Sequence, residues 1–174
     1  MAGPTFESVV AEFYEPLYRF AFSLARVEAD ACDLTQQTFY LWATNSHQLR
    51  DPTKTRTWLF TTLYRAFLQS RRRDLRFPKQ EFDETDADMP WVEPVTARHL
   101  DTAQVLEALG RVDQHYQAAV SLFYLEECSY KEIALILDVP IGTVKSRLTR
   151  GLAQLKRMLI DTGPPDKIGA NQHD

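Results

Sequence analysis

Apolar residues recur at helical spacing along nearly the whole chain. Phe6, Val9, Val10, Phe13, Leu17, Phe20, Ala21 and Leu24 fall three, four and seven positions apart, which marks one face of a helix with about 3.6 residues per turn. Pro16 interrupts this stretch. It predicts a new helix at its first turn or a kink in a long one. A second helix is expected over about 30–43, with Leu34, Thr38, Leu41 and Trp42 on one side. Residues 45–55 read as a loop, marked by Asn45, Ser46 and Asp51-Pro52. A third helix is expected over about 56–73. Residues 77–100 lose the periodicity. Pro78, Pro90 and Pro94 break helices there, and Glu81, Asp83, Glu84, Asp86, Asp88 and Glu93 repel one another, the composition of an unstructured tether. Four more helices follow, near 101–109, 113–125, 129–137 and 142–160, before Gly163-Pro164-Pro165 ends the pattern and predicts a frayed tail. No stretch shows strand alternation.

The fold class is therefore all-α: two small helical domains joined by a flexible acidic linker. The boundaries are 1–76, linker 77–100, 101–162, and a disordered tail 163–174. Fully stretched, the 24 linker residues would reach about 80 Å at about 3.3 Å each, more than two turns of DNA at about 34 Å per turn.

Composition removes most catalytic classes. The only glycine before Gly110 is Gly3, so the first hundred residues hold no phosphate-binding glycine loop, and none follows. Four scattered histidines and two cysteines, Cys32 and Cys128, have no metal-ligand spacing. Neither metal nor other cofactor is expected, the two thiols read as buried and inert, and the chain is not expected to be an enzyme. The longest apolar runs, 39–43 and 133–137, are five residues, against about 20 for a membrane helix. Met1–Phe6 lacks the basic start and apolar stretch of a signal peptide, so the expectation is a cytoplasmic protein with no membrane insertion.

Charge sharpens this. The net charge is −4, yet two basic patches flank the acidic linker. Arg71, Arg72, Arg73, Arg76 and Lys79 form one. Lys145, Arg147, Arg150, Lys156 and Arg157 form the other, with no acid between Asp138 and Asp161. Local patches govern nucleic-acid contact more than the total does.

Ser129-Tyr130-Lys131-Glu132 has the form of a capping box. Asp138-Val139-Pro140 stops that short helix, and Gly142-Thr143 opens the next. There Val144, Leu148, Leu152, Leu155 and Leu159 point one way, and Ser146, Thr149, Arg150, Ala153 and Arg157 the other, with Lys145 and Arg147 on the flanks. A capped helix, a tight turn and a helix with a basic outer face make a helix-turn-helix, whose second helix suits the major groove. Lys145 and Arg150 can donate to guanine or phosphate, Ser146 can bond to base edges, and the Thr149 methyl can touch thymine.

This segment, with the string Gly142-Thr143-Val144-Lys145-Ser146-Arg147-Leu148, resembles region 4 of bacterial sigma factors of the extracytoplasmic-function (ECF) group. The resemblance implies a domain that reads the −35 promoter element through Thr143, Lys145, Ser146, Arg147, Thr149 and Arg150. Glu127 and Asp138 stand where that family often has glycine. In the first domain, Asp33-Leu34-Thr35-Gln36-Gln37-Thr38-Phe39 resembles the family's region 2.2 helix. It implies docking of Asp33, Leu34, Gln36, Gln37 and Phe39 on the β′ coiled coil of core RNA polymerase. Gln37 replaces a commoner acid. Thr57-Trp58-Leu59 resembles the start of regions 2.3 and 2.4, which melt and read the −10 element. Trp58, Thr62, Arg65 and Gln69 share one stripe of the third helix, an aromatic, a hydroxyl, a cation and an amide suited to unpaired bases. Arg71, Arg72 and Arg73 would hold duplex phosphates. Arg65 and Gln69 replace the Asn and Asp of many members, so the −10 preference does not carry over.

The family implies a sigma factor that binds core polymerase (β′ coiled coil and β flap), promoter DNA and an anti-sigma factor. A free-standing regulator of the LuxR type also ends in a helix-turn-helix, but it lacks the region 2.2-like helix and the −10-like stripe. An enzyme with a nucleic-acid-binding tail lacks support for want of nucleophile–base spacing, metal cluster or glycine loop.

Overall fold

The computed structural model describes residues 3–76 and 100–161, side chains from 3–76 and 103–160. The expected disorder of the linker and of the tail 163–174 falls outside the described residues, save Leu100, which opens a helix. Among the described residues every regular element is helical.

Helix α1 spans Phe6–Ala25. The Thr5 hydroxyl accepts from the Ser8 amide at 3.2 Å and caps it. Pro16 lies inside α1 and neither restarts nor ends it. An interior proline sacrifices a backbone hydrogen bond and costs about 3 kcal/mol. Leu17, Phe20 and Ala21 just beyond it are fully buried, and burial of each large side chain contributes about 1.5–3 kcal/mol. Packing thus outweighs the break. Arg26 closes α1 in the left-handed conformation, φ 64°.

Helix α2 spans Glu28–Asn45, two residues longer at each end than the periodicity predicts. Its N-cap, Val27, offers no side-chain bond, so the start carries no polar signal beyond Glu28 and Asp30 in the first turn. Two single turns of 3-10 helix, Ser46–Gln48 and Pro52–Lys54, occupy the expected loop. Helix α3 spans Thr55–Arg76. Helices α1, α2 and α3 pack into one bundle around Leu17, Phe20, Leu59 and Leu63.

The second unit comprises α4 (Leu100–Arg111), α5 (Gln114–Tyr124), α6 (Tyr130–Leu137) and α7 (Ile141–Asp161). Its core holds Leu109, Val120, Leu122, Ile133, Val144 and Leu148. The capping box forms as expected. The Glu132 carboxylate accepts from the Ser129 amide at 2.7 Å, and the Ser129 hydroxyl accepts from the Glu132 amide at 3.2 Å. Asp138 ends α6 at φ 54°, and Glu127 lies at φ 51° in the preceding turn. These are the two positions where the family often has glycine, which tolerates that conformation without strain.

The two units touch. Helix α3 packs on α6, and α1 packs on α4 and α5. The structure therefore joins the two predicted heads into one body.

Candidate nucleic-acid interface

The outer face of α7 carries most of the side chains expected to meet DNA. Lys145, Ser146, Thr149 and Arg150 are exposed, Thr143 and Arg147 half-buried. The apolar face beneath them is locked: Val144 is fully buried, and Leu148 and Leu155 nearly so. The Pro140 carbonyl accepts from the Thr143 and Val144 amides and anchors the first turn. The Thr149 hydroxyl is spent on the Lys145 carbonyl at 2.9 Å, which leaves its methyl as the outward group. Gly151 lets α7 press against α5, since a Cβ there would stand 2.3 Å from Val120. Burial pushes the Tyr64 hydroxyl's pKa up, and the charge of the half-buried Arg147 partly offsets this.

The fold adds two residues the sequence did not point to. His115 and Tyr116, at the start of α5, line a hollow of about 420 Å³ together with Thr143, Ser146, Arg147 and Arg150. The Asp113 carboxylate bonds both the His115 amide and its ring Nδ1 at 2.9 Å. No local motif could have placed α5 beside α7.

On α3, Arg65 and Gln69 are exposed, Trp58 and Thr62 half-buried. The Trp58 indole meets Trp42 edge-on, centroids 5.3 Å apart. Trp42 is itself buried, so the inner tryptophan fixes the outer one. Arg72 and Arg73 are exposed. Arg71 is half-buried, lies over the Phe67 ring and donates to Gln114 of α5 at 2.9 Å.

On α2, Asp33, Gln36 and Gln37 are exposed, with Tyr40 beside them. Leu34 and Phe39, expected as docking anchors, are each only 6% exposed. Phe39 stacks on Tyr14 and meets Phe6 edge-on. These two side chains hold α2 in place, and the polar residues form its surface.

Cys128 is buried and its thiol is pushed up to about 11 by burial. Cys32 is half-buried, its thiol also raised, chiefly by burial. Neither is activated toward thiolate chemistry. Among the described residues no group of His, Cys, Asp and Glu could hold a metal ion, and no helix is long and apolar enough to cross a membrane.

Comparison with known proteins agrees with this geometry. A model of sigma-70 region 2 matches residues 9–77, and one of sigma-70 region 4 matches 102–155. The chain is 33% identical over 162 residues to the ECF RNA polymerase sigma factor SigE of Mycolicibacterium smegmatis, covering 91% of this chain and 63% of that relative. It is 31% identical to the RNA polymerase sigma factor HrpL of Pseudomonas syringae pv. syringae, covering 75% of this chain and 73% of HrpL. In structure it resembles the sigma factor RpoE of Bartonella quintana in complex with the anti-sigma factor NepR. That match has a TM-score of 0.70 at 26% identity and covers 91% of this chain and 98% of RpoE. It also resembles CnrH in complex with the cytosolic domain of CnrY, with TM-score 0.62 at 25% identity, covering 91% of this chain and 89% of CnrH. The class defined by fold and site is a two-part, DNA-reading helical protein. This chain belongs to the sigma-70 family, in its ECF group, whose members are promoter-specificity factors of RNA polymerase.

Proposed function

We propose that this chain directs core RNA polymerase to promoters by reading two elements with its two units. Helix α7 enters the major groove at −35 with Thr143, Lys145, Ser146, Arg147, Thr149 and Arg150. The α3 stripe of Trp58, Thr62, Arg65 and Gln69 engages the melted −10 strand, and Arg71, Arg72 and Arg73 hold upstream phosphates. Melting costs about 1.4 kcal/mol per base step, and each base stacked on an aromatic such as Trp58 returns about 1–3 kcal/mol. The Asp33, Gln36 and Gln37 surface of α2 docks on the β′ coiled coil, and the second unit on the β flap. An anti-sigma factor is the expected regulator, as RpoE is bound by the anti-sigma factor NepR. The chain acts in the cytoplasm and carries out no covalent chemistry of its own.

The observation that carries this reading is the capped helix-turn-helix of α6 and α7, whose outer face exposes Lys145, Ser146, Thr149 and Arg150. The test is run-off transcription with purified core polymerase on a promoter library. Defined start sites that depend on the added chain support the reading, and no initiation anywhere on the library rejects it.

A further inference from the structure

A hollow of about 400 Å³ lies among the end of α1, the later turns of α3 and the junction of α4 with α5. Small-molecule sites usually enclose about 300–1,000 Å³. Three elements each bring one arginine to its wall: Arg26 closes α1, Arg71 belongs to α3 and Arg111 ends α4. The buried Leu24 and Val112 line it beside them. None of the residues expected to read bases is on this wall. The one carboxylate there belongs to Asp113, and it is committed to the His115 amide and ring Nδ1, each at 2.9 Å. Arg71 donates to the neutral Gln114 at 2.9 Å. Arg111 meets Glu107, which lies one turn back on α4 and outside the hollow. Among the described residues the Arg26 side chain has neither an acceptor nor a carboxylate partner. Positive charge therefore exceeds negative charge on this wall.

Two locally unfavourable residues meet here. Arg26 ends α1 at φ 64°, a conformation that favours glycine or asparagine and costs other residues about 1–3 kcal/mol. Gly110 lies inside α4, where glycine costs about 1 kcal/mol against alanine. Its backbone is helical, so conformational freedom does not account for it. Space does. A Cβ on Gly110 would stand 2.9 Å from Arg26 Nε and 3.5 Å from its Cζ and Nη2. The Arg26 guanidinium thus packs against Gly110 at the edge of the hollow. Natural chains break local rules chiefly at functional sites. Guanidinium groups match the oxygens of phosphate in pairs. A single carboxylate offers two oxygens and one charge, too few for three arginines. A diphosphate offers enough of both, whereas a DNA duplex is too wide to enter a hollow of this size.

We propose that Arg26, Arg71 and Arg111 form a binding site for the diphosphate group of a small molecule, separate from the base-reading faces. On the promoter-reading function above, Arg71 also holds DNA, so a bound diphosphate withdraws one cation from the upstream phosphates. The test is calorimetric titration of the full chain with inorganic pyrophosphate at fixed ionic strength. It contains no DNA and no polymerase, so it judges the site whatever the transcription test returns. One saturable site per chain is expected. Orthophosphate should bind about tenfold more weakly or worse, for want of the second phosphate's charge-assisted hydrogen bonds. Arg26→Gln and Arg111→Gln should each weaken pyrophosphate binding about tenfold or more, the loss of such a bond. Arg50→Gln is the control, since Arg50 is exposed and lies outside the hollow, and it should leave binding unchanged. Gly110→Ala carries the sharpest expectation. Its methyl group displaces the flexible end of Arg26 rather than a packed neighbour, so the Tm should hold or rise while pyrophosphate binding weakens. Circular dichroism confirms that each variant folds, and Gly110→Ala decides should Arg26→Gln fail to. The proposal is overturned by absence of saturable binding, by equal weakening in Arg50→Gln, by unchanged affinity in the folded hollow variants, or by orthophosphate binding as tightly as pyrophosphate.

Discussion

Replacing Gly151 with alanine adds a single methyl group where α7 crosses α5. That Cβ would lie 2.3 Å from Val120 Cγ2 and 2.8 Å from Tyr116 Cβ. Unbonded carbons rest about 3.5–4.0 Å apart, so the shortfall against Val120 is about 1.2 Å. Neither neighbour can swing away. Val120 is fully buried and stiff at its branched Cβ, and the Tyr116 atom is itself a Cβ. The helices must separate. Overpacking of this kind costs about 1–3 kcal/mol, against about 1 kcal/mol gained by alanine over glycine in a helix. The severity of the contact puts the clash at the upper end, so Gly151→Ala should destabilise by about 1–2 kcal/mol. At about 2–4 °C per kcal/mol for a chain of this size, the Tm should fall by about 2–8 °C. Gly142→Ala is the control. It lies in the first turn of the same helix, and a Cβ there meets nothing within 4 Å. It should leave the Tm unchanged or slightly raised. Thermal unfolding followed by far-UV circular dichroism at one protein concentration reads both. If Gly151→Ala raises the Tm as Gly142→Ala does, the close α5–α7 crossing is refuted.

Arg150→Ala should cut transcription from promoters that depend on their −35 element about five- to 150-fold, the loss of about 1–3 kcal/mol from one good base contact, while co-purification with core polymerase persists; parallel loss of both would sink the α7 assignment. Asp33→Lys should weaken core binding without moving the Tm, whereas Leu34→Glu should lower the Tm by burying a charge. The reverse pattern would show that the buried side chain, not the surface, does the docking. Glu127→Gly should stabilise by about 0.5–1 kcal/mol, because it relieves a left-handed backbone, read as a higher urea midpoint. Glu132 has a lowered pKa, first because the Ser129 amide donates to it. Its stabilising share is therefore full above its ordinary value of 4.5 and lost as pH falls through the lower folded value. The gap in urea midpoint between the Glu132→Gln variant and the unsubstituted chain should narrow as pH falls from 7 to below 4.5, and a constant gap would contradict the cap.

Periodicity alone determined that the chain is helical, where most helices lie, and which face of α7 turns outward. The reason is local: apolar positions three and four apart, a Ser129–Glu132 box and a Val139-Pro140 stop act within one or two turns of backbone. The region 2 and region 4 strings could be read for the same reason. Helix ends without a polar cap, such as the start of α2 at Val27, could not, and of the two readings Pro16 allowed, the continuous α1 excludes the restart, because distant packing outweighs a local break. Tertiary structure decided which neighbour each inward face meets. It sank Leu34 and Phe39 into the core, set Trp58 against Trp42, and joined Arg71 to Gln114 of the opposite unit. It also joined Arg19 to Glu126 across 107 positions of sequence and Arg56 to Glu132 across 76. Hydrophobic spacing encodes the direction a side chain takes from its own helix axis, whereas such pairings depend on how whole helices cross, and no short window of sequence contains that.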